Sequence, residues 1–301
     1  MMFLRPFRGP VPLVLEPLQS AEAHAFWRVF LSGRGDLPTK DLTVHLDRFL
    51  SLPPEEQRAH FAAKKDGRII GTVRLGSAEI SGFSMDPHHT DDAAAVLLKA
   101  MDLLRARGAT GIIGHFEDRY ETAFASLGFR RTFARMRMEA PTKRWPPRDL
   151  LLQPPEEDEV LGLTAFLQDV YEGHIEQQYG MHVGSEEEWR GYVTGLLKGD
   201  SGRFMPDASY VVLEADRIVA AILVTHWMGT PLVAELGVAK DRRGRGFGRG
   251  LVEASMGRLA GLDEPRIGLY VTLGNDPAIA LYRSLGFDQV GGQSVTARLE
   301  A

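Results

Sequence analysis

The stretch PLVAELGVAKDRRGRGFGRGLVEASMGR, residues 231–258, decides how the whole chain is read. An apolar, strand-like run ends near Val238, a glycine-rich turn follows, and a helical pattern begins near Gly246. Gly244, Gly246 and Gly248 carry no Cβ, so backbone N–H groups there can approach an anion closely, and the dipole of the following helix adds positive potential. Arg242, Arg243 and Arg245 bring further charge to the turn. The combination suits a pyrophosphate. The G-x-G-x-G spacing misses the G-x-G-x-x-G dinucleotide fingerprint, and no Lys-Ser or Lys-Thr follows to make a triphosphate loop. A disordered arginine–glycine tract for nucleic acid would lie in low-complexity sequence, whereas a strand and a helix flank this one. A glycine-rich surface turn with no ligand is the plain alternative.

Working outward, the chain repeats itself. LYRSLGF at residues 281–287 is matched by AFASLGF at 123–129, and VVLEADRIVA at 211–220 by AAKKDGRIIG at 62–71. Each half begins with a short strand and an amphipathic helical pattern: residues 12–16 before 20–30, and 150–153 before 156–170. PTKRWPPRD, residues 141–149, has three prolines and mixed charges and reads as a connector. The expected domains are therefore 1–143 and 144–301. Each half reads as strand, one or two helices, an antiparallel three-strand run, a long helix, a strand, a short helix and closing strands. That is an α/β chain of the α+β type, with a mixed, mostly antiparallel central sheet flanked by helices in each half.

Bulk properties agree with two soluble globular domains: 301 residues, 44% hydrophobic and 25% charged. A formal net charge of −5 argues against a general nucleic-acid binder. The absence of cysteine rules out disulfides, a thiol nucleophile and thiolate metal ligation, and fits a cytoplasmic setting. No apolar run reaches the length needed to span a bilayer. Residues 1–18 read as a first strand and turn instead of a signal peptide, because Pro10, Pro12, Glu16 and Pro17 interrupt the apolar patch. The sequence is silent on oligomeric state.

Two motifs carry a resemblance. Arg243, Gly244, Arg245, Gly246, Phe247 and Gly248 fit [RQ]-x-x-G-x-[GA], while Asn275, Ala278, Leu281 and Tyr282, followed by Gly286 and Phe287, fit N-x-x-A-x-x-L-Y with its Gly-Phe pair. In both, the chain resembles the GNAT superfamily of N-acetyltransferases, strongly over its C-terminal half and weakly, through the repeat, over its whole length. The resemblance implies tandem GNAT-like domains and acetyl-CoA as cosubstrate, with no metal. It implies that Arg243, Gly244, Arg245, Gly246, Phe247 and Gly248 hold the pyrophosphate, that the strand ending at Val238 pairs with the pantetheine arm, and that the thioester lies beside Glu235, Leu236 and Gly237. Asn275 would bond CoA or cap the short helix.

The reaction so implied is acetyl transfer to an amine by direct attack in a ternary complex. It needs a base for the amine, a donor for the oxyanion and a proton for the leaving thiolate. Tyr282 is the expected proton donor and Glu235 the expected base, against the alternatives of a half-buried aromatic and a structural or solvated carboxylate. A bulge near residues 236–238 would aim an N–H at the oxyanion. The acceptor, a small-molecule or peptide amine, is expected beside YEGHIEQQYGMHVG, residues 171–184, with Tyr171, Glu172, His174 and, from the preceding strand, His226 as candidates. Glu176 and the glutamates at 186–188 could draw in a cationic amine or simply form a solvated acidic face.

Two other classes remain open: a non-catalytic CoA-sensing module, and an aminoacyl-tRNA-dependent transferase, which would need a basic channel. Asp86, His88, His89, Asp91 and Asp92 invite a metal reading, but adjacent histidines in one short loop rarely converge on an ion. Aligning residues 82–95 on 237–250 instead sets His88 opposite Arg243, Asp91 opposite Gly246 and Ala93 opposite Gly248. Further on, Glu117 stands opposite Asn275 and Phe124 opposite Tyr282. The N-terminal half is thus expected to have lost the cosubstrate site.

Overall fold

Three tight hairpin turns, each with both central residues left-handed, set the strand register: Asp66 and Gly67, Ala215 and Asp216, Met228 and Gly229. Such turns match the twist of the strands they join. The computed structural model describes residues 12–35, 37, 39–156 and 159–300, so most of the N-terminal segment weighed as a leader lies outside the described residues. In the first half the elements are β1 (Val14–Pro17), α1 (Ala23–Ser32), α2 (Leu42–Ser51), α3 (Pro54–Gln57), β2 (His60–Lys65), β3 (Arg68–Leu75), β4 (Glu79–Met85), α4 (Ala93–Ala106), β5 (Ile112–Glu117), α5 (Glu121–Ser126) and β6 (Arg130–Pro141). The second half holds α6 (Val160–Tyr171), α7 (Glu186–Lys198), β7 (Arg203–Phe204), β8 (Tyr210–Glu214), β9 (Arg217–Trp227), β10 (Thr230–Val238), α8 (Phe247–Gly261), β11 (Arg266–Thr272), α9 (Asp276–Ser284) and β12 (Asp288–Leu299).

The chain forms two compact units, one ending at Ala134 and completed by the residues from Gly291 onward, the other Arg135–Val290. This division differs from the 143/144 boundary drawn at the prolines, because each half gives its closing strand to the other unit. β6 pairs antiparallel with β11, from Arg135↔Thr272 to Pro141↔Arg266. β12 pairs antiparallel with β5, from Ser294↔Glu117 to Leu299↔Ile112. The proline-rich stretch follows an exchanged strand; it does not separate two self-contained domains.

Strand order in the first unit is β1-β2-β3-β4-β5-β12, and in the second β6-β11-β10-β9-β7 with β8 also on β9. Each sheet is antiparallel except for one parallel pair: β4 with β5 at Glu79↔Ile113 and Ile80↔Gly114, and β10 with β11 at Leu232↔Gly268 and Val233↔Leu269. The mixed, mostly antiparallel architecture read from the sequence is the one found. In the second unit α6 and α8 both pack on β9, which is buried without interruption over residues 218–225. A strand covered in this way reads as the continuous apolar run IVAAILV. Among the described residues no helix is long and apolar enough to cross a membrane.

Candidate active site

Beyond their two paired residues, β10 and β11 separate. Ala234 is an extra residue in β10, which pairs with β9 at Val233↔Val224 and then at Glu235↔Leu223. Such a bulge bends the strand and re-aims the side chains after it. It lies two residues before the 236–238 stretch considered above. Past the bulge, residues 235–238 have no strand partner on the β11 side among the described residues. The gap is a cleft of about 800 Å³.

One end of the cleft is the glycine turn. Gly244 and Gly246 adopt φ of 76° and 86°, the left-handed region that costs other residues most, and an added Cβ at either would meet nothing within 4 Å. Conformation, not space, selects glycine here. Gly246 caps α8 without any side-chain bond, and the first amide bonded back along the helix is that of Gly250, to the Gly246 carbonyl at 2.9 Å. The N–H groups of Phe247, Gly248 and Arg249 precede it and have no partner among the described residues, and all three residues line the cleft. The arginines divide their labour. Arg243 donates to the carbonyls of Val238 and Val170, both at 3.3 Å, strapping the turn to the ends of β10 and α6. Arg242 is paired with Glu214 at 2.7 Å, and Arg245 lies outside the cleft lining.

The other end is a buried polar cluster. Glu235, 2% exposed, accepts hydrogen bonds from Tyr171 at 2.7 Å and from Tyr192. Burial pushes its carboxyl above the usual carboxylate range, and the two phenols only partly offset this. Both phenols are held well above their ordinary range, first by burial and then by Glu235. Tyr171 stacks on His182 at 3.7 Å, and His182 Nε2 lies 2.8 Å from Glu176 Oε2. Glu176 also accepts from Thr272. Burial opposes its ionisation, but bonds from His182 and Thr272 and the charge of Arg135 prevail and hold it at about 2. Asn275 accepts from the Ala278 amide at 3.4 Å, capping α9, while its Nδ2 sits 3.2 Å from His174 Nε2.

Tyr282 is 7% exposed and lines the same cleft. Its hydroxyl has no hydrogen-bond partner among the described residues. Burial, then the charges of Glu235 and Glu176, raise its pKa, so it stays a phenol at neutral pH.

Most of the residues singled out in the sequence thus converge: Glu235, Leu236, Val238, Arg243, Gly244, Gly246, Phe247, Gly248, Asn275, Tyr282, Tyr171 and His174 all line one cleft. Two of the acceptor candidates do not. Glu172 turns to Lys240 at 2.7 Å on the surface. His226 follows Thr225, a cleft residue, so strand alternation sends it to the opposite face, where it lies 3.5 Å from Glu264. Arg135, His182, Tyr192 and Thr272 were not singled out. Tyr192 shares a helix face with Trp189, a spacing visible in EEEWRGYVTG.

The first unit has the same strand frame with the gap filled. Phe124 stacks on Phe116 at 3.7 Å and meets Phe83 and Phe129 edge-on. The Tyr120 hydroxyl accepts from the Met85 amide at 3.0 Å and donates to the Gly33 carbonyl at 3.2 Å, so the end of β4 is already bonded. A 3-10 turn, Thr90–Asp92, runs straight into α4 with no left-handed residue to open its first amides. Asp92, not Asp91, occupies the cap that Gly246 occupies in α8, and it is paired with Lys65 at 3.0 Å. Register also moves Glu117. Counted from the parallel pairs, it falls opposite Thr272, and the cap opposite Asn275 is Tyr120. Among the described residues no cluster is arranged to hold a metal ion; Asp86 accepts from the His88 amide at 2.8 Å.

The cleft falls inside residues 168–287, which match the family model described as Acetyltransferase (GNAT) family. Residues 168–287 thus form a GNAT-family domain within the chain. It is 36% identical over 88 residues to a mycothiol acetyltransferase of Clavibacter sepedonicus, covering 28% of each chain. It is 31% identical over 87 residues to N-alpha-acetyltransferase 30 of Schizosaccharomyces pombe, covering 27% of this chain and 58% of that one. The match thus spans just over a quarter of the length of the mycothiol acetyltransferase. A GCN5-related N-acetyltransferase from Sphaerobacter thermophilus superposes with a TM-score of 0.74 at 15% identity, over 96% of both chains. A tandem GNAT protein from the clavulanic acid biosynthesis pathway gives 0.63 at 15% identity, over 96% of this chain and 98% of that one. These two likenesses establish a common fold along the whole chain.

Proposed function

We propose that the second unit transfers an acetyl group from acetyl-CoA to an amine by direct attack in a ternary complex. The observation that carries this reading is that one cleft joins a helix N-terminus with free amides to a buried carboxylate held by two tyrosines, with an unengaged tyrosine beside it. The amides of Phe247, Gly248 and Arg249 and the dipole of α8 receive the pyrophosphate. The free edge of β10 at 236–238 offers the pantetheine arm the backbone partners that β11 withholds.

The amine nitrogen attacks the thioester carbonyl, the C–S bond breaks, and a proton passes from nitrogen to the Glu235 carboxylate, directly or through the phenol of Tyr171 or Tyr192. Tyr282 gives its proton to the departing sulfur. Its raised pKa keeps that proton available at neutral pH. The names of the relatives support acetyl as the acyl group and an amine on a small molecule or peptide as its destination. A cysteine-free chain suits action in the cytoplasm.

The reading is tested by following thiol release from acetyl-CoA with a panel of amines; a CoA sensor would release none. Tyr282→Phe is expected to lower kcat by about ten-fold or more while leaving acetyl-CoA affinity nearly intact. An unchanged rate, with chemistry shown to be limiting, would remove Tyr282 from the proton path.

A further inference from the structure

Arg135 is the cleft arginine that makes no hydrogen bond, its one charge partner being Glu176 at the outer limit of an ion pair, among the described residues. It stands on β6 directly across from Thr272 of β11, so both side chains share a face of the sheet and both line the cleft. Arg242, Arg243 and Arg249 each make hydrogen bonds, to Glu214, to the Val238 and Val170 carbonyls, and to Glu253 respectively. Arg135 makes none among the described residues. Its guanidinium carbon lies 6.0 Å from the Tyr270 ring centre, and Nε is buried without a partner. The nearest carboxylate oxygen, Glu176 Oε1, is 4.0 Å away and already accepts from Thr272, while Oε2 faces His182 at 2.8 Å. A buried donor left unbonded is costly, and a planar guanidinium presents its N–H groups in a fork that matches a carboxylate.

We propose that Arg135 binds a carboxylate on the acceptor, so that the substrate class is amines that also carry a carboxylate, of the amino-acid type. This rests on the acetyl-transfer reading above. The cluster supplies both halves of such recognition. Glu176 attracts the ammonium end, Glu235 takes its proton, and Arg135 takes the anionic end. Arg135 borders Glu176 in the segment between α6 and α7, whereas the phosphate turn belongs to α8, which separates it from the cosubstrate's charges by element and by partner. Its role is specificity: it touches the acceptor and carries no proton in the reaction.

The test uses the full chain and thiol release from acetyl-CoA, with α-amino acids, their carboxamides and their decarboxylated amines as matched acceptors. Wild type should favour the carboxylated member of an accepted set by about ten-fold or more in kcat/KM. Arg135→Gln should lower kcat/KM for that member about 10–100-fold, mainly through KM, with Arg135→Lys in between, and change the carboxamide less than about three-fold. Acetyl-CoA affinity, measured by calorimetry in each variant, should not move. Equal losses for carboxylate and carboxamide, a wild-type preference for carboxyl-free amines, or acetyl-CoA binding with no carboxylated amine acetylated would each overturn the proposal. So would weakened acetyl-CoA binding in Arg135→Gln, which would assign the arginine to the cosubstrate. A wild-type chain that does not bind acetyl-CoA would fail earlier and separately, at the acetyl-transfer reading itself.

Discussion

Gly246→Asp is expected to abolish acetyl-CoA binding in a protein that still folds. Folding should survive for three reasons. Gly246 sits at φ 86°, a left-handed conformation that Asp enters more readily than most residues; an added Cβ there meets no atom within 4 Å; and a carboxylate at a helix N-terminus favours the helix dipole. Binding should fail because the new charge takes the place proposed for the pyrophosphate, beside the open amides of Phe247, Gly248 and Arg249. Like charges within a few ångströms near a protein surface repel by several kcal/mol at an effective dielectric of about 20, so a loss of at least about 100-fold is expected. Gly246→Ala, which adds strain without charge, should lose far less. Calorimetry on the folded variant reads both numbers, and an Asp variant with wild-type affinity would reject the loop assignment.

Glu235→Gln is expected to lower kcat by about 100- to 1,000-fold with little change in acetyl-CoA affinity. The amide keeps an oxygen that can accept from Tyr171 or Tyr192, so the cluster should hold together while its basicity is lost. The pH profile supplies a second, independent reading. Only the ionised carboxylate can take a proton, and burial raises the pKa at which it ionises. Activity must therefore be lost as pH falls through a value above the ordinary carboxylate range, and recovered as pH rises through it. In Glu235→Gln this limb should vanish, leaving only the ionisation of the acceptor amine, which is measured separately on the free amine. A Gln variant that keeps both rate and limb would make Glu235 a structural carboxylate.

How far these residues could be read from the sequence follows how local their chemistry is. Residues 243–248 and 275–287 are continuous motifs whose strand, turn and helix settings are fixed by near neighbours, and their cleft positions follow. The strand exchange had no such signal. The pairing of Arg135 with Thr272 joins segments far apart in sequence, and a proline-rich stretch after β6 reads like any linker. With Arg135 assigned to the other half, it could not be considered for the site. Glu176 looked like part of an acidic surface because its partners, Thr272 and His182, are brought to it only by folding. His226 shows the penalty of one residue of strand parity: Thr225 faces the cleft and His226 does not. In the first half the motif-to-motif alignment slipped by one at the helix cap, because the 3-10 turn Thr90–Asp92 merges with α4 where Gly246 interrupts the approach to α8.

The central claim is that one unit carries the cosubstrate site and the other has closed its counterpart with Phe124, Tyr120 and Asp92. Titrating the full chain with acetyl-CoA in a calorimeter tests it most directly. The expected result is one binding site per chain, lost entirely in Gly246→Asp; two sites per chain, or a site that survives that substitution, would contradict it.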